Sequence, residues 1–233
     1  MALYTIADLH LSLGPADKPM DVFGGRWIGY MDKLRKNLEK IRPEDTTVIP
    51  GDLSWAMSLP DAYEDFRFIQ EIPGRKIILK GNHDYWWSTA RAFELFCQAH
   101  HFDRIHVLNN NCFFYGDIAL CGTRGWMYDE QKPSGHDEKI FLRELGRLET
   151  SLKAAGDREK YCFLHYPPVY EGYTCRPVME LMKQYGVTRC YFGHLHAESL
   201  RLARQQVLDG IEYRLVSADQ LDFDPIRLDE NFF

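Results

Sequence analysis

The chain has 233 residues, 45% of them hydrophobic and 27% charged, with a formal net charge of -6. That balance fits a soluble protein with a substantial core and argues against one that grips nucleic acid through many phosphate contacts. No apolar run approaches the ~18 residues of a membrane span, and Met1–Ile6 lacks the basic start of a signal peptide.

Residues 3–7 read as a strand leading into Asp8-Leu9-His10. Gly14 to Gly29 is a long loop rich in Gly, Pro, Asp and Lys, carrying Phe23, Arg26 and Trp27, of the kind that borders a site. Leu34, Leu38 and Ile41 recur at helical spacing ahead of Pro43, predicting a helix over 32–41. Thr46–Pro50 is a second strand, delivering Gly51-Asp52, and a helix begins near Pro60. Lys76–Lys80 is a third strand, with three apolar residues in a row, and runs into Gly81-Asn82-His83-Asp84. A helix follows Ser88.

Beyond residue 101 the rhythm changes. Cys112–Tyr115 and Ile118–Cys121 flank Gly116-Asp117 as a hairpin. A polar loop through Arg124, Trp126 and Lys132 leads to a helix from Asp137 to Ala155. The strand Tyr161–Leu164 ends at His165, Pro177–Tyr185 is helical, and the strand Arg189–Phe192 ends in Gly193-His194-Leu195-His196. Two strands near 205–208 and 211–217 and an irregular tail close the chain. With no repeat or linker, a single domain over 1–233 is the economical reading. Strands alternating with helices, then hairpins, predict two mixed sheets with helices outside. The six cysteines form no C-x-x-C pair, which fits buried free thiols and a cytoplasmic location.

Side by side, the strand ends carry Asp8 and His10, Asp52, Asn82 and His83, His165, and His194 and His196. Turn-making explains any one of them, but not five strand ends with the same residue types. Sites in open α/β sheets form beyond the carboxyl ends of the strands. Asp-x-His and His-x-His pairs share a face if the backbone there is extended. Carboxylates, imidazoles and one amide, without thiolate, suit Mn, Fe or Zn. The ligands are too many for one ion and enough for two. Two such ions keep a positive surplus after Asp8, Asp52 and a bridging hydroxide are counted, which suits an anionic phosphoryl group.

The ordered set Asp8-x-His10, Gly51-Asp52, Gly81-Asn82-His83-Asp84, His165 and Gly193-His194-x-His196 resembles the calcineurin-like metallophosphoesterase superfamily. The resemblance spans residues 8 to 196. It implies a four-layer α/β sandwich with two central mixed β-sheets flanked by helices. It also implies a phosphoric ester hydrolase using two divalent or trivalent metal ions and a metal-bridging hydroxide. By resemblance, Asp8, His10 and His196 hold the first metal, Asn82, His165 and His194 the second, and Asp52 bridges them. His83 corresponds to the family's non-ligand histidine, which protonates the leaving oxygen or stabilises the transferring phosphoryl. Such an acid is needed opposite the attacking oxygen. Asp84 joins the catalytic candidates, fixing either the loop or the imidazole.

The sequence departs from the Ser/Thr phosphoprotein phosphatase branch. No Asp-Arg-Gly follows Asp52, where Leu53-Ser54-Trp55-Ala56-Met57 stands instead, and Lys80 replaces the Arg before Gly81. The chain resembles instead the compact bacterial-type members. Arg124, whose fork suits phosphate, and Trp86 are candidate substrate contacts. Trp86 and Trp87 either wall the pocket or pack beneath it, and the 14–29 loop either covers it or is disordered. The expected partner is a small phosphate ester, mono- or diester. Nucleic acid is not favoured, and a catalytically silent scaffold or a nuclease is the alternative.

Overall fold

The computed structural model describes residues 1–16, 18–128, 134–203 and 205–229, so Lys132 of the predicted polar loop lies outside the described residues. The chain begins with β1 (Leu3–Thr5), α1 (Tyr30–Leu38), β2 (Thr46–Pro50), α2 (Tyr63–Glu71), β3 (Arg75–Leu79) and α3 (Ala90–Ala99). It continues through β4 (Ile105–Val107), β5 (Phe113–Tyr115), β6 (Ile118–Thr123), α4 (Gly135–Ala154) and β7 (Glu159–Leu164). A small hairpin, β8 (Val169–Tyr170) and β9 (Tyr173–Thr174), precedes α5 (Arg176–Gln184) and β10 (Val187–Phe192). Last come β11 (Gln206–Leu208), β12 (Ile211–Leu215) and β13 (Ile226–Arg227).

Five strands form one sheet in the order β13-β1-β2-β3-β4, and six form a second in the order β11-β12-β10-β7-β6-β5. Both are mixed: β1, β2, β3 and β4 run parallel, as do β6, β7, β10 and β12, with antiparallel strands at the edges. The central strands are buried on both faces, which explains their near-continuous apolar sequences.

Side-chain alternation sorts the core into layers. Leu3, Val48, Ile77 and Leu79 of the first sheet meet Leu120, Tyr161, Phe163 and Tyr191 of the second. The opposite residues, Tyr4, Ile49 and Ile78, pack under Leu34 of α1, Phe66 of α2 and Phe93 of α3. Cys121, Cys162 and Phe192 pack under Leu148 of α4 and Met182 of α5. The result is the expected four-layer sandwich: helices, sheet, sheet, helices.

Local chemistry sets the helix ends. Thr89 caps α3 by accepting the Ala92 N–H at 3.1 Å, and Ser134 caps α4 through the Asp137 N–H at 3.1 Å. The ammonium of buried Lys76 donates to the carbonyls of Gln70, Ile72 and Gly74, satisfying the end of α2.

Four strands escape the sequence pattern. β4, β8–β9 and β13 are two or three residues long, too short for period-two alternation to show. The tail read as irregular thus contributes β13, which pairs with β1. The loop at 14–29 contains two short 3-10 turns, Met20–Phe23 and Gly25–Trp27.

Candidate metal centre

Strands β1, β2 and β3 of the first sheet, and β7 and β10 of the second, release their chains towards one edge of the sandwich. The two sheets are tied together there. Ala7 donates to the Val216 carbonyl at 2.8 Å and accepts from Ala218 at 2.9 Å, while Nδ1 of His165 lies 3.2 Å from the Pro50 carbonyl.

The strand pleat does not aim the paired residues, contrary to the expectation of extended backbone. Asp8, His10, Asp52 and His194 have φ of 60°, 46°, 50° and 75°. Each turns out of its strand through the left-handed region, at a cost on the order of 1–3 kcal/mol per residue. Hydrogen bonds hold these turns. Asp8 donates to the Gly51 carbonyl at 3.0 Å, His10 to the Asp52 carbonyl at 2.9 Å, and His194 to the Asp8 carboxylate at 3.0 Å. Glycine permits the closeness. A Cβ at Gly81 would overlap Asp52 Oδ1, and one at Gly193 would overlap Asp8 Oδ2.

The seven candidate ligands come together. Asp8, His10 and His196 can offer ligand atoms within 4.8 Å of one another, and so can Asp8, Asp52 and His165. Nε2 of His196 lies 3.7 Å from Asp8 Oδ1 and 3.4 Å from Nε2 of His10. Asp52 Oδ2 is 3.8 Å from His10 Nε2 and 3.5 Å from His165 Nε2, so it faces both groups. Asn82 Oδ1 is 2.6 Å from His165 Nε2 and 2.9 Å from His194 Nδ1. Separations near 3.5 Å are long for hydrogen bonds but suit atoms sharing an ion at about 2.1 Å.

The electrostatics call for a cation. Asp8 and Asp52 are buried, and their close partners are histidines, with no Lys or Arg ion-paired to either among the described residues. Burial and the charge of Asp8 push Asp52 up to about 8. Burial holds His10, His165 and His194 below the ordinary histidine range, leaving neutral nitrogens of the kind metals bind. His196 is the exception: burial opposes its charge, but Asp8 and Asp219 carry it up to about 10. The donor set fits metal ions.

A family model described as calcineurin-like phosphoesterase matches residues 1–198. The chain belongs to the calcineurin-like phosphoesterase family. No curated protein matches it. Among solved structures, a protein of unknown function from Aquifex aeolicus, AQ665, is 20% identical with a TM-score of 0.52, covering 97% of this chain and 95% of that one. TT1561 of Thermus thermophilus is 14% identical with a TM-score of 0.56, covering 94% and 89%. At such identities the likeness concerns the fold alone.

In this family member, His83 stands at the rim of the cluster. Its backbone N–H donates to Asp52 Oδ1 at 2.8 Å, and its Nδ1 lies 3.0 Å from the Tyr85 hydroxyl. Trp55 packs between histidines, stacked on His10 at 4.9 Å and tilted against His83 at 4.6 Å. Tyr85 and Trp55 thus orient a histidine for which the sequence offers no Asp-Arg pair.

Asp84 is buried beneath this loop. It accepts from the N–H groups of Gly81, Asp52, Leu53 and Ser54 at 2.7 to 3.2 Å and from the Trp86 indole at 2.9 Å. These bonds fix the loop, and the His83 imidazole is not among the partners.

Trp86 corrects the sequence reading. It is 3% exposed, packs on Phe66 and Phe93, and holds Asp84, so it is unavailable to a substrate. Its neighbour Trp87 is half-buried and lines a surface cavity with Arg124. The Arg124 carbonyl receives the N–H groups of His165 at 3.1 Å and Tyr166 at 2.9 Å, while its guanidinium approaches Glu144 at 3.5 Å. Described residues of the 14–29 loop pack against the site. Trp27 is buried edge-on to His10 and His196, and Arg26 donates to the Asp219 carbonyl at 3.0 Å.

Sequence reading missed Asp219. Its Oδ1 lies 2.9 Å from His196 Nδ1, and its Oδ2 accepts from Ala197 N–H at 3.1 Å. The signal was of the same kind as the others, a carboxylate just after an apolar strand, here Ile211–Leu215.

Proposed function

We propose that this member of the family is a phosphoric ester hydrolase with a dinuclear metal centre, acting on small mono- or diesters. The observation that carries the reading is the meeting of two buried carboxylates, four histidines and Asn82 at one edge, with His83 beside them and outside both groups. Asp8, His10 and His196 would hold one ion and Asn82, His165 and His194 the other, with Asp52 between. Bound there, Mn, Fe or Zn would supply Lewis-acid charge and a nucleophilic water near neutral pH.

The chain's own residues do the rest. Asp84 fixes the loop that carries Asn82 and His83, so both arrive from one rigid turn. The Tyr85 hydroxyl at Nδ1 leaves His83 Nε2 as the nitrogen able to serve the leaving oxygen as acid or hydrogen-bond donor. Arg124 steadies the other side of the site through its backbone carbonyl, which receives the N–H groups of His165 and Tyr166. Free thiols at Cys162 and Cys190, neighbours on β7 and β10, support a reducing, cytoplasmic setting. No helix among the described residues is long and apolar enough to cross a membrane.

The test is metal content by mass spectrometry, paired with turnover of p-nitrophenyl and bis-p-nitrophenyl phosphate under the metals found. Two ions per chain and metal-dependent release of nitrophenol are expected. Two bound ions with no hydrolysis of any ester would favour the silent scaffold.

A further inference from the structure

Beside the candidate metal centre lies a second built feature, a cavity of about 300 Å³. Lys80, Arg124, Arg143 and Arg147 line it, and Glu144 is the one carboxylate among its described lining residues. Four positive groups against one negative leave a surplus of three. Trp87 and Leu108 give it an apolar wall.

A structural ion-pair network would tend towards neutrality, and this one does not. Glu144 is 2% exposed and already fully engaged. Its Oε2 accepts from the Thr123 hydroxyl at 2.7 Å, while Oε1 is shared by Arg147 at 2.8 Å, Arg124 at 3.5 Å and Arg143 at 4.0 Å. One buried carboxylate therefore gathers three guanidinium forks without consuming their donors. Nε of Arg124 is buried with no hydrogen-bond partner among the described residues. Unused planar donors over a cavity match the oxygens of a phosphoryl group.

The cavity adjoins the metal centre through the chain. Lys80 directly precedes Gly81-Asn82 and donates to the Asp84 carbonyl at 3.3 Å. Arg124 holds the backbone of His165 and Tyr166, and the Tyr166 ring lies 4.4 Å from that of His194. The two loops that bring Asn82 and His165 together thus form the near end of the cavity.

We propose that this cavity binds a second phosphoryl group of the substrate, so that the physiological ester carries at least two phosphoryl groups, one at the metal centre and one held by Lys80, Arg124, Arg143 and Arg147. The inference rests on the phosphoesterase reading for the first group but has its own readout.

The test compares alkane-α,ω-diol bisphosphates of three, four and six carbons with alkyl monophosphates of the same lengths. Binding to the protein as purified is followed by calorimetry, and phosphate release is measured in parallel. At one or more lengths the bisphosphate is expected to bind at least tenfold more tightly than its monophosphate. The preference should narrow to within threefold in Arg147→Ala. Arg143→Gln, at a side chain 56% exposed, should narrow it too and guards against misfolding of the first variant. Equal affinities at all three lengths would overturn the proposal, as would a preference that survives both substitutions. Absence of turnover with the binding preference intact would count against the hydrolase reading and leave the cavity assigned.

Discussion

Asp219 Oδ1 lies 2.9 Å from Nδ1 of His196, and Nε2 of the same ring faces Asp8 and His10. A carboxylate behind an imidazole fixes which nitrogen points forward and makes it a better donor to a metal. The first half of the centre therefore depends on a residue 23 positions downstream of its histidine. Asp219→Asn is expected to weaken binding of one of the two ions by about 10–100-fold. Titrating the metal-stripped variant with Mn or Zn checks this. Wild-type affinity at both sites would remove Asp219 from the centre.

His83 and Tyr85 separate chemistry from metal binding. His83→Ala should keep both ions and lower turnover of p-nitrophenyl phosphate by about 10²–10⁴-fold. Tyr85→Phe deletes one hydrogen bond, worth about 1 kcal/mol, and should lower kcat by about 3- to 10-fold. Steady-state kinetics on variants of confirmed metal content decide it. An unchanged rate for His83→Ala would exclude the histidine from the reaction.

Asp84 ties together the loops that follow β2 and β3. Asp84→Ala leaves four buried N–H groups and the Trp86 indole without their acceptor. The expected loss is about 3–5 kcal/mol of folding stability, even with metals removed. Urea unfolding of chelator-treated protein measures it. A loss visible only in the metal-loaded protein would contradict the loop-anchoring role.

Asp65 on α2 provides a pH signature away from the ions. It accepts from the Ser54 hydroxyl and from the Leu13 N–H at 2.7 Å. Burial nonetheless raises its carboxyl above the ordinary 3.8. The folded state then holds this proton more tightly than the unfolded chain. Its contribution is full below pH 3.8 and is lost as pH rises through the folded value. The stability of the wild type relative to Asp65→Asn should therefore fall as pH rises from about 4 towards neutrality. Urea unfolding of both proteins across that range reads the difference, and a wild-type advantage that grows with pH would refute the assignment.

Close approach at Gly81 is a steric prediction. Gly81→Ala must push Asp52 or its own loop aside. Loss of at least one bound ion is expected, with the far-UV spectrum of the fold retained. Full occupancy of both sites in this variant would show that the loop can yield without cost.

What the amino-acid order determined by itself was the family and the main framework. Asp8, Asp52, Asn82, His165 and His194 each follow an apolar run, and parallel strands collect their carboxyl ends at one edge whatever the details. The long helices and two-sided strands were legible for the same reason, since periodicity needs length to show. The three-dimensional packing alone decided the rest. Left-handed turns at Asp8, His10, Asp52 and His194, and not strand pleat, aim the ligands, because contacts between distant loops outweigh local backbone preference. Asp219 meets His196, and Glu144 meets Thr123 and Arg124, only through the folding of the chain, and Trp86 went to the core, where its indole donates to Asp84.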